Sequence, residues 1–479
     1  MKRRFHLYPW ELWAYKKLRL LSQTVLGKFI QKRLFDNPNL RIPFQAIPLW
    51  IASALTGLVA VAYENLFVLF ERAGKAFWTP SPWHIFITTP VFFVLAWLVT
   101  ARFAPAARGS GIPQLLAAVD LAGTARQGFV GQLLSIRIAL VKIGSSLLLL
   151  LGGGAIGREG PTLQIAGSVF QTVYQYIPAG WARVSQRIML ITGGASGLAA
   201  AFNTPLGGIV YALEELTKSH IARFRTAVFS AVIIAGMTAQ SFLGSYLYLG
   251  YPKLAPLPLS LIWAVPVLAF LSGYLGALFT RVLLWLGELR RKYRGRKKQL
   301  GFVLALSLLF AILLFFTGAT AMGTGKPLIN NILFEGAASA PWYTFPVRFA
   351  GAVLSFSVGA SGGIFATSLS SGAALGAFLV HFSGLPEAHH NLLVLVCMIG
   401  FLTGVTRTPF TAAILVLEMT DRHSAIFYFL LAGMTAHIGA AQVISRSFYE
   451  IQKDIFLESM GINHTGAAGR GTEKDNAYQ

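Results

Sequence analysis

The sequence predicts an all-α, polytopic membrane protein. Three observations predict it. Hydrophobic residues make up 55% of the 479 residues and charged residues only 12%, with a mean hydropathy of +0.60. About a quarter of the residues in a soluble domain are charged, so soluble enzymes, disordered scaffolds and coiled coils are excluded. The apolar residues form long continuous runs, which read as helices and not as the short alternating strands of an outer-membrane barrel. The 40 basic and 18 acidic residues leave a net charge of +22, and the basic residues cluster between the apolar runs. That is the pattern of cytoplasmic loops, so no nucleic-acid partner is expected. The same charge also draws anions over long range. The single cysteine, Cys397, lies in an apolar run; it rules out an intrachain disulfide and reads as a small packing residue.

Taken in order, residues 1–41 are basic and amphipathic, with Trp10 and Trp13 among lysines and arginines. They read as an interfacial helix on the cytoplasmic face, without a cleaved signal peptide. The membrane unit follows over 42–455. Its apolar runs lie near 44–70, 84–103, 129–152, 186–202, 222–248, 258–288, 301–320, 343–358, 373–383, 391–405 and 423–444. Several are shorter than the roughly 20 residues a spanning helix needs. Residues 290–298 (RRKYRGRKK) form the densest charge cluster, expected to be cytoplasmic and to divide the unit in two. The polar, glycine-rich tail over 456–479 reads as disordered.

The halves resemble each other. Thr204-Pro205 leads through an apolar run to Leu213-Glu214, and Thr408-Pro409 leads to Leu417-Glu418, at one offset of 204 residues. Internal duplication with Gly- or Pro-broken helices marks a transporter-type fold with its site between the repeats.

Three Gly-rich loops each open a helix: Gly109-Ser110-Gly111-Ile112-Pro113, Gly157-Arg158-Glu159-Gly160-Pro161 and Gly362-Gly363-Ile364-Phe365-Ala366-Thr367. Proline in a first helical turn loses no hydrogen bond. The free N–H groups and the positive end of the helix dipole make an anion site. Non-helical backbone at membrane depth is tolerated only inside protein or beside water, so three such loops imply an anion pathway. Glycines that merely allow close packing are the plainer alternative. Ser110, Gly111 and Ile112, with Arg158, Glu159 and Gly160, are the candidate anion contacts of the first two loops.

A carboxylate in an apolar segment is expensive and marks function. Glu159 stands at a helix start, where it mimics an anion and can gate by protonation. A salt bridge to Arg158 is the structural alternative. Glu214 corresponds to Glu418 in the repeat, so these two share a structural role. Glu215 faces Met419 in that alignment and is the functional candidate. Glu64 and Asp120 read as helix-end residues.

GSGIP, GREGP and GGIFA, in this order, resemble the CLC family of chloride channels and chloride/proton antiporters. AAAFNTPLGGIVYALEE and TGVTRTPFTAAILVLEMTD are similar to family segments too, and the match runs from about 45 to 455. The resemblance implies a CLC-type fold of two inverted repeats, with many tilted and re-entrant helices. It also implies a homodimer with one pathway per subunit. It makes the Ser110 hydroxyl an anion ligand and Tyr449 the second hydroxyl, with backbone N–H groups of Ile364 and Phe365 completing the central site. Glu159 becomes the outer gate and Glu215 the inner proton-transfer residue. Thr367 stands where the third motif usually has proline, and Gln114 where an acidic residue is common. Ser110 favours chloride over fluoride, because the fluoride-exporting branch lacks that serine. No CBS domains follow the membrane unit, which points to a bacterial inner-membrane protein with cytoplasmic termini.

The expected function is chloride/proton antiport across the bilayer, with a passive chloride channel as the alternative. An intramembrane serine protease, using Ser196 or Ser361 with His437, is a weaker reading on four-residue motifs. No phosphate-binding loop occurs and His389-His390 reads as a solvated turn, so neither cofactor nor metal is expected.

Overall fold

The computed structural model describes residues 38–462, apart from 79, 178–183, 218–224, 245–246, 256–258, 294, 383 and 385. In lipid every backbone N–H needs a partner within its own segment, and the apolar runs accordingly become helices. The first half contains α1 (Pro38–Ala76), α2 (Ile85–Phe103), α3 (Ile112–Leu121), α4 (Ile136–Leu151), α5 (Glu159–Tyr176), α6 (Gln186–Phe202), α7 (Pro205–Tyr211) and α8 (Arg225–Leu243). A π turn over Ala212–Leu216 prolongs α7. The second half repeats that order with α9 (Ala264–Lys292), α10 (Arg296–Thr317), α11 (Lys326–Phe334), α12 (Thr344–Ser357), α13 (Phe365–Val380), α14 (His390–Thr406), α15 (Pro409–Thr420) and α16 (Ile426–Ala441). A last helix, α17 (Phe448–Ser459), has no counterpart. The halves part between Leu243 and Ala264; the basic cluster falls at the break between α9 and α10, from Lys292 to Arg296, and so lies within the second half instead of dividing the unit in two. Among the described residues, eight helical segments are long and apolar enough to cross a membrane.

The repeats run in opposite directions, and two carboxylates show it. Glu214, at the end of α7, accepts from the Phe410 N–H at 3.2 Å, the Thr411 N–H at 2.7 Å and the Thr411 hydroxyl at 2.7 Å. Glu418, at the end of α15, accepts from the Leu206 N–H at 3.0 Å and the Gly207 N–H at 2.7 Å. Each glutamate thus caps the other repeat's helix, where free N–H groups and the dipole favour negative charge. Two equivalent helices that cap each other tail to head lie antiparallel, so the halves are inverted. Within the second half, small residues let helices approach closely: Gly276 of α9 packs on backbone of α14, and Gly273 on backbone of α16.

Two helices sit largely within protein. Residues 392–406 of α14 are all buried. In α5 even Gln164, Ser168 and Gln171 are buried.

Two expectations change. Residues 456–459 belong to α17, not to a disordered tail, because Leu457 and Ile462 are buried and anchor the chain. The later tail, and the basic segment up to residue 37, lie outside the described residues. Glu64 sits within α1 rather than at a helix end; an ion pair, described below, makes its burial tolerable. Asp120 does stand at the end of α3, where the dipole disfavours it, and the Lys453 ammonium 2.6 Å away offsets this.

Candidate functional site

Backbone hydrogen bonds stitch the three Gly-rich loops together. Gly109 N–H donates to Ala360 O at 2.8 Å and Gly362 N–H donates to Gly109 O at 3.2 Å. Gly157 and Gly363 exchange two N–H···O bonds, both 2.8 Å. The third loop therefore lies between the first and second, joining both repeats at one buried point. Three helices begin there: α3, α5 and α13. Their first N–H groups have no acceptor within the helix. That includes Ile112 at the start of α3, and Phe365, which follows the cap residue Ile364 at the start of α13.

Buried polar side chains brace the first loop. Lys142 is fully buried and donates to Ala107 O at 2.9 Å and to Gly109 O at 3.0 Å. Gln164 donates to Ala106 O at 3.0 Å and to Leu133 O at 2.9 Å. Gln114 donates to Arg108 O at 2.7 Å. This accounts for the amide at 114: an ionised carboxylate has no proton to give a carbonyl. Gly111 has φ +101°, and a Cβ there would come within 2.8 Å of both Gln164 and Lys142. Only glycine meets both demands.

Glu159 opens α5 and is fully buried. The backbone N–H groups of Glu159 and Ala366 face its carboxylate, which therefore sits at an anion position between the starts of α5 and α13. The Tyr248 hydroxyl lies 3.5 Å from Oε1. A Cβ on Gly157 would collide with this carboxylate. Phe202 packs against both Tyr248 and Phe365 beside it. Arg158, which the motif places among the anion contacts, turns away: its guanidinium pairs with Glu64 and donates to Ala201 O at 3.1 Å. Neighbouring helical side chains diverge, so Arg158 serves α1 and α6 while Glu159 faces the loops.

Ser110 is buried, and its hydroxyl lies against Gly160, where a Cβ would strike it. Tyr449, at the start of α17, is also fully buried, and its hydroxyl lies near that of Ser110. Apart from each other, neither hydroxyl has a hydrogen-bond partner among the described residues. A buried O–H without an acceptor is costly, and two beside exposed helix N-termini suit an anion. The Tyr449 hydroxyl is within electrostatic range of both Glu159 and Glu215. Thr367 starts its helix without proline; its hydroxyl donates back to Ile364 O at 3.0 Å.

A cavity of about 660 Å³ leads to Ser110. Arg108, Arg137, Arg290 and Arg291 line it together with Phe356 and Phe448, and among the described residues no acidic one does.

Sequence reasoning missed several of these parts. Lys142, Gln164 and Tyr248 act on the loops from distant positions. Arg348, fully buried, donates to Met322 O at 2.8 Å, Gly323 O at 3.2 Å and the Ser370 hydroxyl at 2.7 Å, pinning the turn before α11 to α13. Only the rarity of a charge in an apolar stretch signalled Lys142 and Arg348. Among the described residues neither serine meets His437: Ser196 pairs with Ser53 at 3.2 Å, the Ser361 hydroxyl has no partner, and His437 faces Arg407 at 3.4 Å. Among the described residues, no group of three His, Cys, Asp or Glu side chains is placed to hold a metal.

Inverted repeats whose broken helices aim their N-termini at one buried point define an ion-translocating membrane protein built around an anion site. The sequence profile described as "Voltage gated chloride channel" matches residues 91–440. The H(+)/Cl(-) exchange transporter ClcA of Klebsiella pneumoniae is 30% identical over 454 residues, covering 91% of this chain and 92% of that one. The chain belongs to this voltage gated chloride channel family, the CLC family. Its fold is similar to the crystal structure of a slow cyanobacterial Cl−/H+ antiporter, with a TM-score of 0.75 and 23% identity, covering 88% of this chain and 99% of that one. It is also similar to a CLC-type fluoride/proton antiporter, with a TM-score of 0.73 and 18% identity over 87% of this chain and 99% of that one. A eukaryotic CLC transporter gives a TM-score of 0.69 at 22% identity, over 86% and 74% of the two chains.

Proposed function

We propose that this protein exchanges chloride for protons across the membrane, with Glu159 as the gate. One observation carries the reading. The hydroxyls of Ser110 and Tyr449, with no partner but each other among the described residues, lie at the point where the loops converge, and the Glu159 carboxylate faces N–H groups at the helix starts. A chloride ion would take hydrogen bonds from the hydroxyls and from N–H groups at the starts of α3, α5 and α13, including those of Gly111, Ile112, Gly160, Ile364 and Phe365. It would compete with the carboxylate for the outer position. Protonation neutralises Glu159 and releases it, which couples the two ions. Glu215 passes protons from the opposite side, with Tyr449 between the two carboxylates. Ser110 favours chloride over fluoride. The ClcA relative, named for H(+)/Cl(-) exchange, supports this assignment.

The protein works as a homodimer in a bacterial inner membrane, with both termini and the 290–298 cluster cytoplasmic. The exposed apolar side chains of Leu206, Leu213, Phe410 and Ile438, on and beside the capped helices, support such a pairing.

Proteoliposomes with an outward chloride gradient test the reading. Uphill proton uptake that disappears in Glu159→Ala and Glu215→Ala is the expected result. Chloride efflux without proton movement, under a valinomycin shunt, would make the protein a passive channel.

A further inference from the structure

We propose that the arginine-lined cavity below Ser110 binds an oligophosphate, two or more phosphoryl groups in series, and that its occupancy closes the anion pathway. The closure rests on the transport reading above; the binding does not. Volume is the first argument. About 660 Å³ is far more than a halide needs, and it falls within the roughly 300–1,000 Å³ of organic-ligand pockets. The second argument is charge. Four guanidiniums line the cavity and no carboxylate does. Among the described residues, Arg291 has only Glu288, at 3.9 Å on the exposed surface, Arg290 reaches only Ser357 O at 3.5 Å, and the buried Nε of Arg108 has no partner. Crowded cations without counterions repel one another, and a multivalent anion relieves this.

Donor geometry narrows the class. Guanidinium is a rigid fork that grips phosphate oxygens in pairs, whereas a site needing only a diffuse attractive field has no use for forks. Arg290 is held in place by packing on the bare backbone of Gly359, where a Cβ would overlap it. Arg108 lies deep, beside Ser110, while Arg137 and Arg291 are exposed at the lip. Arginines at both the lip and the base favour a chain of phosphoryl groups over a single orthophosphate. Phe356 and Phe448 meet edge to face on the wall beside Gly109, and a ligand seated against them covers the approach to Ser110.

The test is calorimetric titration of inorganic pyrophosphate into the purified protein in nanodiscs of zwitterionic lipid. Saturable binding is expected, at least tenfold tighter than orthophosphate. The double variant Arg137→Gln/Arg291→Gln, altered only at the exposed lip, should bind at least tenfold more weakly. Pyrophosphate on the cavity side should also slow chloride efflux, each variant being compared with its own uninhibited rate. Discs containing cardiolipin separate the sources: loss of pyrophosphate binding there assigns the site to lipid phosphates, retention to a soluble oligophosphate. No saturable binding, equal affinity for orthophosphate, or undiminished binding in the double variant would overturn the site. Binding without slowing would overturn the closure. A protein that binds pyrophosphate but carries no chloride would refute the transport reading and leave the site standing.

Discussion

Lys142→Met separates binding from stability at the first loop. The ammonium donates to Ala107 O at 2.9 Å and to Gly109 O at 3.0 Å. Hydrogen bonds involving a charged group contribute about 1.5–3 kcal/mol each, so the pair contributes about 3–6 kcal/mol. Burying an ammonium costs several kcal/mol in the opposite direction. Methionine keeps the volume and removes both effects, and Gly109 O retains the Gly362 N–H at 3.2 Å. Stability should therefore change by no more than about 2 kcal/mol. Chloride affinity should respond differently. Ser110 directly follows Gly109, which places the ammonium roughly 7 Å from an anion on the serine hydroxyl. At an effective dielectric near 20 the lost attraction is about 2.4 kcal/mol, or about fiftyfold in affinity. Chloride titration by calorimetry, beside unfolding in detergent, reads both quantities. An affinity within twofold of the unaltered protein would refute the electrostatic role.

Three further outcomes follow from the geometry. Glu214→Gln should destabilise by about 2–3 kcal/mol and Glu418→Gln by about 1–2 kcal/mol, since the first glutamate accepts three hydrogen bonds and the second two; unfolding titrations that find neither loss would discard the reciprocal caps. Gln114→Glu should lose the bond to Arg108 O, costing about 1–3 kcal/mol. Acidification should then restore flux relative to the unaltered protein, because a protonated acid can donate again; a flat ratio across pH would contradict this. Gly160→Ala should push the Ser110 hydroxyl aside and weaken chloride binding about tenfold, as overpacking of roughly 1–3 kcal/mol requires; unchanged affinity would remove that hydroxyl from the ligand set.

Much of the site was legible because its backbone needs special residues. Gly109 and Gly111 adopt positive φ, and Pro113, Pro161, Pro205 and Pro409 sit in first turns. Such demands are written in residue type. The repeat was legible for the same reason, through matched Thr-Pro starts and Leu-Glu ends. The braces were not. Lys142, Gln164 and Gln114 donate to carbonyl groups, and every residue has a carbonyl, so nothing in the sequence names the acceptor. Hydropathy also misled at α5. A helix surrounded by protein can keep Gln164 and Ser168 once they find acceptors, so it lacks the greasy signature of a lipid-facing span. Arg158 looked like an anion ligand because its partner, Glu64, lies on α1, far away in the sequence.

The exchanged caps of α7 and α15 also impose an order on biogenesis. When the ribosome has finished residue 216, the start of α7 still lacks its acceptor, because Glu418 has yet to be made. The first half therefore inserts with a helix end unsatisfied for some 200 residues of synthesis, about 10–40 s at typical elongation rates. Contacts so remote in sequence form late. Completion of α15 closes both caps together, so the halves lock in one step rather than maturing one after the other. A nascent chain halted before residue 418 should accordingly remain open to protease near Leu206.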